Sequence, residues 1–195
     1  MLHAATSSTI VLTPDEKTVC AVNQDSGSVS FWNWSDTGVV REVTVGEEPR
    51  TVAVSPDGRT VYVTTQRSQA LAVVDLKSGR RTAAIRLAGQ PVGVVLSEDG
   101  RRAFVSEFAG DYIDGRYSPG VIAVVDLVKQ AVIKKVPVKA FPFSFALDEE
   151  RHLLYVTHFL AQSGTGIVSV IDVESCEVRR EILLPEDNDI GGGSG

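Results

Sequence analysis

His158 closes the stretch Tyr155-Val156-Thr157-His158 and is the histidine best placed to do chemistry, because an imidazole at a strand end could bind a metal, accept a proton or hold a partner. His3 lies near the N-terminus and His152 in a turn, so neither supports a metal cluster with it. Glu107, Asp111 and Asp114 offer three hard oxygen donors of the kind Ca²⁺ accepts, although their spacing does not match an EF-hand loop. Tyr112 and Tyr117, flanked by Asp111, Asp114 and Arg116, have the composition of an interaction surface. Asp75, Asp126 and Asp172 each stand ahead of a turn, as do Asp15, Asp57 and Asp99, and that placement assigns them to turn capping. No Gly-x-Ser-x-Gly, phosphate loop, haem-attachment motif or zinc signature occurs, so no catalytic residue, metal or cofactor is expected.

Two independent markers show how the chain positions these residues. Leu12-Thr13-Pro14-Asp15-Glu16-Lys17 returns 42 residues later as Val54-Ser55-Pro56-Asp57-Gly58-Arg59, and after 42 more as Leu96-Ser97-Glu98-Asp99-Gly100-Arg101. A fainter copy, Leu147-Asp148-Glu149-Glu150-Arg151-His152, follows 51 residues further on. The second marker, Val73-Val74-Asp75-Leu76, keeps step as Val124-Val125-Asp126-Leu127 and Val170-Ile171-Asp172-Val173, with Trp32-Asn33-Trp34 in its place in the first unit. A period of about 40 to 45 residues carrying four short strands describes a β-propeller blade. In the second unit the alternation and turn residues predict strands over 51–55, 60–65, 70–76 and 81–87. No stretch sustains a helical period, so the chain is predicted to be all-β: four four-stranded antiparallel blades over 6–46, 47–88, 89–138 and 139–185. A Gly-rich flexible tail, 186–195, follows them.

Tyr62-Val63-Thr64-Thr65 and Tyr155-Val156-Thr157-His158 are variants of a Tyr-Val-Thr-Asn signature. With Ser-Pro-Asp-Gly before and Val-Val-Asp after, the unit resembles the YVTN-repeat family of β-propellers over nearly the whole chain. That resemblance implies a ring of about seven blades, of which these four would be part. The family includes surface-layer, periplasmic and cytochrome-associated proteins, so the likeness is specific for fold rather than for ligand. Unpaired blade edges at the two ends lead to an expectation of self-association into a homo-oligomer.

Composition bounds the partners. With 25 acidic against 19 basic residues, a net charge of −6 and no basic run beyond pairs such as Arg101-Arg102, nucleic acid is not expected to bind. No apolar run approaches the roughly 18 residues of a membrane span. The N-terminus lacks the regions of a secretory signal, so the expected compartment is the cytoplasm, or the periplasm or exterior if a signal peptide has been removed. Cys20 falls in an alternating apolar stretch and reads as a core residue, whereas Cys176 falls in a polar turn and reads as exposed, with no disulfide between them. Trp32 and Trp34 are expected at the exposed start of the arc.

Function is expected where the units break their own rule. The third unit is nine residues longer than the period, and the excess lies in 107–120, between its second and third strands. The fourth is extended at the same connection, in 158–166. In a blade that connection lies beside the loop leading into the first strand, so both extensions should share one face. The column Asn23, Thr65, Glu107 and His158 ends the second strands, and Arg50 and Phe143, each following a proline, lead the innermost strands. Ligand-binding residues are therefore expected among Arg50, Glu107, Asp111, Tyr112, Asp114, Tyr117, Phe143 and His158. The expected function is a non-enzymatic scaffold presenting that face to a protein or small ligand. The alternative, kept open by the resemblance, is the propeller portion of a cytochrome-associated redox protein or a lactonase-like enzyme whose catalytic part lies elsewhere.

Overall fold

The computed structural model describes residues 5–35, 40–108, 112–114, 116–159 and 166–184. Asp111, the 160–165 part of the second extension and the 186–195 tail lie outside the described residues. A two-residue strand, β1 (Ala5–Thr6), precedes the first blade, which is β2 (Ile10–Leu12), β3 (Thr18–Asn23), β4 (Ser28–Asn33) and β5 (Val40–Thr44). The second blade is β6 (Pro49–Val54), β7 (Thr60–Thr65), β8 (Ala70–Asp75) and β9 (Arg80–Arg86). The third is β10 (Gln90–Leu96) and β11 (Arg102–Phe108), then β14 (Gly120–Asp126) and β15 (Ala131–Val138). Between β11 and β14 its extension forms a small hairpin, β12 (Tyr112–Ile113) with β13 (Arg116–Tyr117). The fourth is β16 (Pro142–Asp148), β17 (Leu153–His158), β18 (Ile167–Asp172) and β19 (Glu177–Leu183). Each blade is an antiparallel sheet in chain order, innermost strand first, and no helix long and apolar enough to cross a membrane occurs among the described residues.

Turn chemistry makes the blades repeat. Ser55 Oγ donates to Asp57 Oδ1 (2.5 Å), and the same carboxylate oxygen accepts the Arg59 amide (3.0 Å). Thr13 with Asp15 and Ser97 with Asp99 do the same in their blades. Those hydroxyls, followed by the turn amides, hold the three carboxyls below their ordinary range. Asp75, Asp126 and Asp172 cap the later turns by accepting backbone amides, and Asp172 sits at about 2, held chiefly by the Ser175 amide. Gly79, Gln130 and Cys176 occupy equivalent positions in that turn at positive φ (62°, 53° and 53°). This corrects the reading of Cys176 as exposed. The turn folds its thiol inward against Val173, and it is buried in the core between blades three and four. Cys20 is fully buried, which pushes its thiol up to about 12.

Packing between blades supplies the core. The trailing face of each blade meets the leading face of the next: Cys20, Val29 and Phe31 on Val52, Val61 and Val63; Tyr62, Leu71 and Val73 on Val94, Val105 and Ala123; Phe104, Ile122 and Val124 on Leu147, Leu154 and Ile171. Fully burying one such side chain contributes about 1.5–3 kcal/mol. The leading face of blade one has no such partner among the described residues, for Ile10, Leu12 and Trp32 stay 57%, 55% and 41% exposed, with Trp34 exposed beside them. The four blades thus make an open arc rather than a closed ring. β1 crosses its hub, pairing Thr6 with Ala146 on the inner edge of β16, while Ser8 bridges Val52 of β6.

A bulge interrupts each of the three complete innermost strands, between Pro49 and Val52, between Pro91 and Val94, and between Pro142 and Phe145. A bulge frees backbone groups, and here a hydroxyl on the second strand recovers one. Thr64 Oγ1 accepts the Thr51 amide (3.0 Å), Ser106 Oγ the Gly93 amide (2.8 Å) and Thr157 Oγ1 the Ser144 amide (3.2 Å). Thr64 and Ser106 also donate across to the next blade, to the carbonyls of Val92 (2.8 Å) and Phe143 (3.1 Å). Ser106→Ala should therefore leave a buried amide unpaired and cost about 1–3 kcal/mol, read as a lowered urea midpoint at unchanged m.

Candidate functional site

The bulges decide which side chains reach the hub. They turn Arg50 and Thr51, Val92, and Phe143 and Ser144 toward the space between the innermost strands. Together with Ser7, Ser8, Thr9, Val22, Gln24 and Pro49 these residues line a pocket of about 330 Å³. All four blades and the crossing N-terminal segment contribute to it. Arg50 is the one cationic residue in that lining, and its guanidinium donates to Gln24 Oε1 (3.2 Å).

The rim above the pocket has two unlike halves. On blades one and two, and as far as Gln90 at the start of blade three, it is polar, with Gln66 Nε2 donating to Gln90 Oε1 (3.3 Å) and Arg67 paired to Glu48 (2.9 Å). On blades three and four it is aromatic. Phe108 meets Phe141 edge-on at 5.3 Å and stacks on Phe143 at 6.5 Å, Tyr117 meets Phe141 edge-on at 4.6 Å, and Phe159 lies 5.5 Å from Phe143. Tyr117 belongs to the first extension and Phe159 to the second, so both extensions stand on one face. Phe141 holds φ at +54°, an uncommon conformation for a bulky residue, directly before Pro142. Phe159 is 66% exposed at the top of the seam.

The residues expected from sequence are distributed between this surface and the layer beneath it. Arg50 and Phe143 line the pocket, and Tyr117 joins the seam. Asp114 is exposed in the β12–β13 turn at φ +50°, and Tyr112 pairs there with Tyr117 in backbone register. Glu107 and His158 lie underneath, each tying down the segment that leads into its blade's innermost strand. Glu107 Oε2 accepts the Gly89 amide (2.6 Å), whereas Oε1 is buried with no partner among the described residues. His158 Nδ1 lies 2.9 Å from the Ala140 carbonyl, so it carries the hydrogen, and Nε2 accepts from Ser169 Oγ at 2.8 Å. Among the described residues no group of three or more His, Cys, Asp or Glu side chains could hold a metal.

Burial shifts both groups toward their neutral forms. Burial holds His158 below its ordinary 6.5, so stability from the neutral ring is present above that value and is lost as pH falls through the lowered one. For Glu107 burial outweighs the Gly89 amide and raises the pKa above 4.5, so stability falls as pH rises from 4.5 through the raised value. Glu107→Gln keeps an acceptor for Gly89 and removes the buried charge. It should flatten the fall in stability above pH 4.5, as read by urea unfolding at several pH values.

Sequence reasoning missed Phe108, Phe141 and Phe159. The signal lay one position beyond the column considered: Gln24, Gln66, Phe108 and Phe159 follow Asn23, Thr65, Glu107 and His158, two amides and then two aromatics.

This fold, blades packed face to face around a hub, is that of a β-propeller. A family model described as "Lactonase, 7-bladed beta-propeller" matches residues 2–96. Among solved structures the chain is similar to hydrazine synthase of Kuenenia stuttgartiensis, with a TM-score of 0.80 and 25% identity over 90% of this chain and 48% of that one. Dihydro-heme d1 dehydrogenase NirN is similar at a TM-score of 0.68 and 13% identity, over 92% of this chain and 38% of its own. A functionally unknown protein from Desulfotomaculum acetoxidans is similar at 0.67 and 14%, over 93% and 62%. The chain spans about half the length of the hydrazine synthase chain it matches. No curated protein matches its sequence.

Proposed function

We propose that this chain is a non-enzymatic binding module of the YVTN-repeat type whose loop-rich face takes a small amphiphilic anion. One observation carries the reading: Arg50, from the polar half of the rim, and Phe143, from the aromatic half, line a single pocket at the hub. The guanidinium suits a carboxylate or phosphate, which it can hold bidentately. Phe143, with Val22 and Val92, suits an apolar or aromatic body, and the pocket's roughly 330 Å³ is the size of a small-molecule site. The hydroxyls of Ser7 and Ser144 supply neutral donors. Phenyl phosphate is the probe of choice, titrated by calorimetry against inorganic phosphate. Binding of phenyl phosphate is expected, with Arg50→Met weakening it at least tenfold and Arg50→Lys by less. Absence of binding, or an unaffected Arg50→Met, would sink the reading.

A second reading is favoured by the match of residues 2–96 to the lactonase model and by the likeness to hydrazine synthase. In that case the arc is the propeller portion of a larger enzyme or redox protein, and the hub holds part of its substrate site. Hydrolysis of a simple δ-lactone by the isolated chain, abolished by Arg50→Met, would favour it over the binding module.

A further inference from the structure

We propose that the imidazole of His158 is a pH-sensitive tether that positions the aromatic half of the rim and releases it when the ring takes up a second proton. The tether belongs to blade four itself, and only its effect on affinity rests on the ligand reading of the hub pocket. Two neighbouring hydrogen bonds fix the segment that enters β16. The Phe159 amide donates to the Phe141 carbonyl (2.9 Å), and His158 Nδ1 donates to the Ala140 carbonyl (2.9 Å). Beside these anchors Phe141 is held at φ +54°, with its ring edge-on to Phe108 and to Tyr117. Pro142, opposite His158 in register, opens the bulge that turns Phe143 into the hub. Loosening the anchors therefore moves Phe141 and Phe159 first, and Phe143 through the bulge.

The backbone anchor belongs to the repeat, whereas the imidazole does not. In blade two the Gln66 amide likewise donates to the Glu48 carbonyl (2.9 Å), and Glu48 likewise holds a positive φ, +51°. The side chains in the His158 column differ. Asn23 Nδ2 donates to Ser28 and Ser30, and Thr65 Oγ1 to the Ala70 carbonyl, and neither side chain titrates. Titratable side chains hold the entry segments in the two blades that carry the extensions, through Glu107 on the Gly89 amide and His158 on the Ala140 carbonyl. Their signs are opposite, because the carboxyl is neutral at low pH and the imidazole at high pH.

A second proton spoils the hydrogen-bond pattern around the ring. Neutral His158 accepts from Ser169 Oγ at Nε2 (2.8 Å), and protonation turns that nitrogen into a donor. Ser169 is fully buried, and His158 is the one hydrogen-bond partner of its hydroxyl among the described residues. The hydroxyl would have to turn round to accept, leaving its own hydrogen buried without a partner. Two charged groups act on the ring: Glu181 of β19 favours the proton, and Lys139, which leads into β16, opposes it. They pair with each other at 3.6 Å. The residues that β16 and β18 set against the ring, Pro142 and Ser169, carry no charge. Burial, the largest influence, holds the ring below 6.5, so the tether is intact above that value and is lost as pH falls through the lowered one.

Fluorine NMR of the full chain labelled with 4-fluorophenylalanine, without ligand and titrated from roughly pH 8 to roughly pH 5, tests the tether. Phe141 and Phe159 are expected to shift together with one midpoint below 6.5, while Phe31 stays fixed. His158→Asn keeps a donor for Ala140 that does not titrate, so its resonances should hold the high-pH positions throughout. His158→Ala should show the low-pH positions at every pH, and Glu107→Gln should leave the response in place. Calorimetry with phenyl phosphate then reads the consequence. The second proton of the phosphate, lost near pH 6, cancels in the ratio of wild type to His158→Asn, and that ratio should fall about fivefold across the range. Resonances that ignore pH, a response that persists in His158→Asn or vanishes in Glu107→Gln, or a constant ratio would overturn the proposal. Failure of phenyl phosphate to bind any of these proteins counts against the ligand reading, and the fluorine response then decides the tether by itself.

Discussion

Phe104→Ala should destabilise the arc by about 3–5 kcal/mol, read as a fall in the urea midpoint, with the transition still cooperative. Phe104 is almost fully buried on the trailing face of blade three, among Ile122, Val124, Leu147 and Leu154, with the Arg102 guanidinium 5.8 Å from its ring centre. Its column is aromatic in three blades, as Tyr62, Phe104 and Tyr155, and a cavity here cannot close without moving two sheets. Val128→Ala removes an exposed side chain from the same blade and should change stability by less than about 0.5 kcal/mol. Equal effects from the two substitutions would mean that the faces between blades are not the core.

Gly93→Val should be the second most damaging change, and it should damage binding as well. A Cβ at Gly93 would lie 2.4 Å from the Phe143 carbonyl oxygen and 3.1 Å from Ser106 Oγ. The equivalent positions, Thr51 and Ser144, carry side chains, so the restriction comes from the close approach of blades three and four and not from the bulge itself. Inserting a branched side chain forces β16 away from β10 at a cost of about 1–3 kcal/mol. The same shift carries Phe143 out of the hub. Phenyl phosphate binding should therefore fall at least tenfold in conditions where the variant remains folded by circular dichroism. Retained affinity would separate Phe143 from the site.

The fold was legible because it is written four times. The predicted strand over 60–65 is β7 itself, and the second blade's other strands differ from prediction by two residues or fewer at either end. The turn aspartates were readable because an Asp ahead of a turn has one common use, which each of them serves. Other features depend on facts a single unit does not carry. Nothing in Ala5–Thr6 marks a strand that crosses the hub, because its pairing partner lies in blade four. Cys176 looked exposed because its neighbours are polar, yet it takes the positive-φ position of Gly79, and that backbone turns its thiol inward. Arg50 and Phe143 could be placed beside the hub from their prolines. Their opposition across one pocket follows from bulges that become visible only once strands are paired in register.

The face that carries both extensions is the centre of this account, and fluorine NMR of 4-fluorophenylalanine-labelled protein during a phenyl phosphate titration tests it most directly. The seven phenylalanines fall in blades one, three and four. Phe143 and Phe159 are expected to shift with increasing ligand, and Phe108 and Phe141 to follow by contact, while Phe31 between blades one and two stays fixed. A titration that moves Phe31 and leaves Phe143 and Phe159 unchanged would contradict the assignment of this face.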